Sequence, residues 1–184
     1  MRSTGIVFVV AMLLVSGMAY GVLKPPPEFT VGVKTTEPWH VAYQKFTGPY
    51  SGVAQAMADV GAWIKKYELV HLGLVLMEFY NSPMDADSTK LEWAIMYPVL
   101  ETVKGFPKET EGKVTIRKLE PVQVAYTYHQ GPYQNAGGTY MKLFQWVFEN
   151  SYQVAGPMRE IYWNDPGRTA QEDLISELQV PVMK

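Results

Sequence analysis

Between residues 31 and 182 the apolar and polar positions pass through the same succession of patterns twice. Residues 31–47 and 114–130 are rich in Val, Thr and Tyr, which suit a pleated, half-buried surface, and both stretches read as extended. Gly48-Pro49 and Gly131-Pro132 punctuate them. A helical period follows. Val53, Met57, Val60, Ile64 and Tyr67 line one face, and Ala136, Tyr140, Leu143 and Val147 hold the equivalent places, so helices are predicted near 51–67 and 135–150. Short strands are predicted at about 73–80 and 157–163, stopped by Asn81-Ser82-Pro83 and by Asn164-Asp165-Pro166. Last strands are predicted at about 91–97 and 174–180, ending at Pro98 and Pro181.

The two halves match in detail as well as in pattern. Val41-Ala42-Tyr43 recurs as Val124-Ala125-Tyr126, and Gly48-Pro49-Tyr50 as Gly131-Pro132-Tyr133, both at an offset of 83. The same offset carries Glu37-Pro38 onto Glu120-Pro121, Trp63 onto Trp146, Gly73 onto Gly156 and Pro98-Val99 onto Pro181-Val182. A register kept without a gap from Val31 to Val99 is an internal duplication. Each unit is then β-α-β-β. One unit alone buries little of its apolar surface, so the expected architecture is a single α+β domain, two units related by a pseudo-twofold axis with helices packed on an antiparallel sheet.

The N-terminus obeys different rules. Arg2 is the one charge in the first twenty residues, Ile6 to Val15 is nearly unbroken apolar sequence, and Ser16, Gly17 and Ala19 are small. That is the layout of a secretory leader, with cleavage expected after Ala19 and an uncleaved anchor as the alternative. The apolar run is short for a span of about 20 residues. The expected organisation is therefore a leader at 1–20, a linker at 21–30 stiffened by Pro25 to Pro27, unit one at 31–103, a surface loop at 104–112 and unit two at 113–184. The expected location is secreted or periplasmic, with the membrane touched only through an uncleaved leader.

Composition narrows the chemistry. There is no cysteine, which excludes disulfides, thiol catalysis and cysteine-based metal sites. Formal net charge is −2, and no cluster of Lys and Arg stands out, so nucleic acid is not an expected partner. His40, His71 and His129 lack metal-ligand spacing, and no cofactor or metal is expected. Aromatic content is 13%, with 12 Tyr and 5 Trp, enough to line a groove for a flat organic ligand as well as a core.

Strand parity supplies site candidates. In the last strand Leu174, Leu178 and Val180 share a face, and Ile175, Glu177 and Gln179 share the other. With the apolar face on the helices, Glu177 turns toward the groove, where burial raises a carboxylate's pKa and favours a cationic guest or acid–base work. In the middle strand Met158, Glu160 and Tyr162 alternate with Arg159, Ile161 and Trp163, and the sequence leaves open which set lines the groove. The ordinary expectation for Glu160 is an exposed salt-bridge partner, and Glu78 and Glu92 pose the same question. Recurrence of Trp63 and Trp146, and of Tyr43 and Tyr126, points to packing, since a site seldom needs one group from both halves. The candidate ligand-binding set is Glu177, Tyr126, Tyr162, Trp163 and Glu160, with no catalytic residue assigned.

The second unit also resembles a known family. Val124-Ala-Tyr-Thr-Tyr-His-Gln-Gly-Pro-Tyr133, Leu143-Phe-Gln-Trp146, Gly156-Pro-Met-Arg-Glu-Ile-Tyr-Trp-Asn-Asp-Pro166 and Glu172 to Val182 are similar to the motifs of the GyrI-like small-molecule-binding family, the effector-binding domains of multidrug-responsive regulators. The resemblance spans about 31–182. It implies a cleft where the units meet, hydrophobic and often cationic aromatic ligands, and a buried carboxylate anchor at the position of Glu177. Some members hydrolyse strained cyclopropane compounds, and SOUL haem-binding proteins share the architecture. Binding is the favoured function, with hydrolysis using Glu177 as acid/base and tetrapyrrole binding as alternatives.

Overall fold

The computed structural model describes residues 29–101, 106 and 113–184. The leader at 1–20, nearly all of the linker, and most of the connecting loop at 104–112 lie outside the described residues.

The first unit runs β1 (Gly32–Thr35), β2 (Trp39–Thr47), α1 (Val53–Lys66), β3 (Val70–His71), β4 (Val75–Phe79) and β5 (Glu92–Leu100). The second repeats it as β6 (Thr115–Leu119), β7 (Gln123–Gln130), α2 (Ala136–Glu149), β8 (Gln153–Val154), β9 (Met158–Tyr162) and β10 (Ile175–Met183). Ten strands form one antiparallel sheet in the order β1-β7-β10-β9-β4-β5-β2-β6, with β3 added to β5 and β8 to β10. The order is palindromic about β9–β4, as the duplication requires.

Both helices lie against one face of the sheet. Ala56, Val60, Trp63 and Ile64 of α1 pack with Met77, Ile95 and Val99, and Leu143 and Val147 of α2 pack with Leu178, Val180 and Val182. The parity read for the last strand is therefore seen, with Leu178 and Val180 toward α2 and Glu177 on the opposite face.

Two expectations need correction. Each long extended segment is two strands. Glu37-Pro38 and Glu120-Pro121 interrupt them because proline has no N–H for the ladder and restrains the residue before it. The interruption lets the first strands cross over, so that β1 pairs with β7 of the other unit and β6 pairs with β2. The last strands also run through Pro98 and Pro181 instead of ending there. The Pro98 carbonyl accepts from Leu72 N–H at 3.0 Å, and Pro181 from Ala155 at 2.8 Å. In an antiparallel strand the proline nitrogen faces that same flank, so the donor is missing at the junction of β3 with β4, or of β8 with β9, where the ladder is already interrupted.

Candidate functional site

Met77 of β4 stands directly opposite Glu160 of β9. The two are twins under the repeat, so the pseudo-twofold axis passes between them. α1 sits on β2 and β5, and α2 on β7 and β10, leaving a valley over the central β4–β9 pair. Val75, Met77 and Phe79 from one unit, and Met158, Glu160 and Tyr162 from the other, point into that valley.

The Gly-Pro-Tyr turns supply its walls. Gly48 has φ 129° and Gly131 φ 118°, backbone that a side chain would strain. Their amides are held identically, by Leu91 O at 2.9 Å and by Leu174 O at 2.8 Å. Pro49 and Pro132 then lead into 3-10 turns that begin with Tyr50 and Tyr133. The Tyr133 ring lies 4.8 Å from that of Tyr162, and Tyr50 meets Phe79 edge-on at 5.5 Å. Tyr140, from the first turns of α2, closes the cluster beside Glu160.

Glu160 is 7% exposed and has no ion pair among the described residues. It accepts a 2.5 Å hydrogen bond from the Tyr162 hydroxyl, which also lies 3.3 Å from Met77 Sδ. Burial pushes the Glu160 carboxyl up, against the lowering effect of the Tyr162 and Tyr140 hydroxyls. Tyr140 and Tyr162 are held well above the usual phenol value by burial and then by the Glu160 charge, and Tyr133 is pushed to about 12 by the same two causes and by Asp165. The Tyr140 hydroxyl lies beside the Glu160 carboxyl, whereas the buried Tyr133 hydroxyl makes no hydrogen bond, at a cost of about 1–3 kcal/mol. A buried carboxylate without a cation, ringed by tyrosine hydroxyls and aromatic faces, is suited to a hydrophobic cation. The expectation of an exposed salt-bridge role for Glu160 is thus overturned: its side chain points under the helices, where tyrosines and, among the described residues, no ion-pair partner face it.

The helix-free face holds a different network. Glu177 is 0% exposed and paired with Lys34 Nζ at 2.5 Å, while Gln179 donates to it at 2.7 Å. Lys34 also lies 4.2 Å over the Tyr126 ring, and Arg117, its twin, lies 3.6 Å over Tyr43. Arg159 bonds Glu78 at 2.7 Å, and Tyr80 donates to Glu78 at 2.8 Å. Glu92 pairs with Lys45 at 2.9 Å.

The sequence-derived candidates therefore divide between two faces. Glu160 and Tyr162 meet on the helix side, and Glu177, Tyr126 and Trp163 lie on the other, with Trp163 packed beside Ile161 and Leu76. Sequence reasoning missed Tyr50, Tyr133, Tyr140 and Met77. The duplication held the signal: Gly-Pro-Tyr recurs, and a site on a twofold axis takes the same residue from both halves. Recurrence does mean packing for Trp63, which is 7% exposed in the core. His129 is buried with both ring nitrogens engaged, by Thr139 and by Pro132 O. No group of metal ligands occurs among the described residues, and no helix there is long and apolar enough to cross a membrane. A surface cavity of about 390 Å³ lies away from the axis, between the Gly48-Pro49 turn, Trp93 and the start of α1.

The antiparallel sheet with both helices on one face and a polar, aromatic cluster on its axis defines a duplicated α+β domain. The chain belongs to the GyrI-like small molecule binding domain family, which it matches over residues 29–183. The C-terminal domain of EcmrR has the same fold at a TM-score of 0.73 and 20% identity, with 85% of this chain and 98% of that one covered. In the complex of EcmrR with DNA the shared part is 58% of the EcmrR chain, at a TM-score of 0.71 and 19% identity. SAV2435 bound to tetraphenylphosphonium is similar at a TM-score of 0.52 and 12% identity, covering 85% of this chain and 94% of that one. No curated protein matches the chain.

Proposed function

We propose that this protein binds hydrophobic, cationic aromatic molecules in the valley between its two helices, with Glu160 as the anchoring carboxylate. One observation carries the reading: Glu160 is buried among Tyr133, Tyr140 and Tyr162 with no cation of its own among the described residues. A cationic guest supplies the missing charge, and aromatic walls hold its body by cation–π and stacking contacts. Glu177 was the anchor suggested by the family resemblance, but Lys34 already meets its charge. Tetraphenylphosphonium, the ligand of SAV2435, has the chemistry this site favours. Small molecules are the expected partners, and the domain's charge balance gives nucleic acid little to hold.

Titrating matched cationic and neutral aromatic dyes against the parent, Glu160→Gln and Glu177→Gln tests the assignment. Glu160→Gln is expected to weaken the cationic dyes roughly ten- to hundredfold and leave the neutral ones nearly unchanged. Selective loss of cationic dyes in Glu177→Gln instead would move the anchor to the other face.

Export belongs to the same proposal, on the strength of the apolar run from Ile6 to Val15. N-terminal sequencing of the native protein is expected to begin near Tyr20, and an intact Met1 on a cytoplasmic protein would overturn it.

A further inference from the structure

The two halves of the valley differ in chemistry while sharing their geometry. Tyr50 and Tyr133 are the matched pair. Val75 and Met158 are apolar in both halves, and the other three twin positions contrast an apolar residue in unit one with a polar one in unit two: Met57 with Tyr140, Met77 with Glu160, and Phe79 with Tyr162. The contrast is concentrated at the axis, where Met77 and Glu160 face each other across one ladder rung. On the unit-one side Met77 belongs to the buried apolar cluster that Met57 and Phe79 pack against, and none of the three carries a charge. On the unit-two side lie the carboxylate, the Tyr133 and Tyr140 hydroxyls and the 2.5 Å tyrosine bond.

We propose that the valley is polarised, so that it takes an asymmetric ligand in one orientation: a single cationic centre toward Glu160, and an uncharged aryl end against Met57, Met77 and Phe79. The physical reasons lie at the two ends. A second positive charge on the unit-one side would lose its hydration with no anion to replace it. An aryl ring there meets polarisable thioethers and a phenyl ring, contacts that favour sulfur and aromatic partners. The ligand class is therefore the aryl monocation in preference to the symmetric dication. Fold symmetry by itself predicts the opposite, because a twofold site would accept a twofold ligand. The inference rests on the reading of Glu160 as a cation anchor.

The test uses three probes on one p-xylene frame: 4-methylbenzyl-trimethylammonium, p-xylylene-bis(trimethylammonium) and the neutral neopentyl analogue of the first. Calorimetric titration of the full chain is expected to rank the monocation above the dication by at least about tenfold, the effect of leaving one charge desolvated. Met57→Glu, at a half-buried helix position away from the rung that holds Glu160, puts an anion on the unit-one side and is expected to erase or invert that ranking. Phe79→Glu, also half-buried, serves the same purpose where Met57→Glu disturbs folding. A parent protein that binds the dication as tightly as the monocation would overturn the polarity, as would a ranking unchanged in a folded glutamate variant. Glu160→Gln separates the two levels. If it leaves the monocation's advantage over the neutral probe intact, the anchor reading itself fails, and the absence of binding by every probe does the same.

Discussion

Glu160 is a residue whose surroundings oppose its charge. Burial raises its carboxyl, so the folded protein holds a proton there at pH values where the unfolded chain has released it. The sign follows directly. Stability from this group is fully present below the ordinary carboxylate range and is lost as pH rises through the raised folded value. Thermal unfolding followed across pH 4–9 is expected to show this loss in the parent and not in Glu160→Gln. The variant is expected to be the more stable form at the alkaline end. Cation affinity runs the other way, because only the ionised carboxylate anchors a cation, so it is expected to strengthen over the interval in which the ligand-free protein weakens. A parent and a variant with the same pH profile would show that Glu160 carries no such strain. Glu177 contrasts with it: the same residue type, fully buried, is compensated by Lys34 at 2.5 Å. Parity along the strand revealed which face Glu177 takes. It did not reveal the lysine, which arrives from β1 across an intervening strand.

At the scale of elements the sequence was most legible where local chemistry decides. The helices at 53–66 and 136–149 follow from the apolar period, and the positive-φ turns at Gly48 and Gly131 from the Gly-Pro pairs. It was less legible where one residue type has two outcomes. Glu37-Pro38 and Glu120-Pro121 end a strand, whereas Pro98 and Pro181 sit inside one. The difference lies in whether a neighbour needs the missing N–H, and that depends on strands distant in sequence. Glu160 shows the same limit, because alternation in β9 separates two faces without saying which one the helices cover. That choice is made by the pairing of β9 with β4 and β10, a property of the assembled sheet.

At the scale of the molecule the crossed first strands tie the units together. β1 pairs with β7 and β6 with β2, so each unit completes the sheet of the other, and β4 and β9 meet at the centre. Residues 29–101 expressed alone would expose the edge of β4 and leave β1 without its partner. Neither half is expected to show a cooperative unfolding transition by itself, and mixing the halves is expected to restore one with a midpoint that rises with concentration. A first half that folds alone as a monomer would contradict this account of the sheet.

The rung at the axis also bears on inheritance. Two separate copies of one unit could assemble with the same crossed strands, but residues on a twofold axis must then be identical. Such a pair could offer two methionines, which attract no cation. It could equally offer two carboxylates within touching distance, which share a proton instead of ionising together. A methionine facing a glutamate is open only to a chain in which the copies are fused and mutate independently. Joining the two units end to end thus does more than stabilise the sheet: it frees the twin positions to differ, and at the centre it allows one carboxylate to face an apolar side chain.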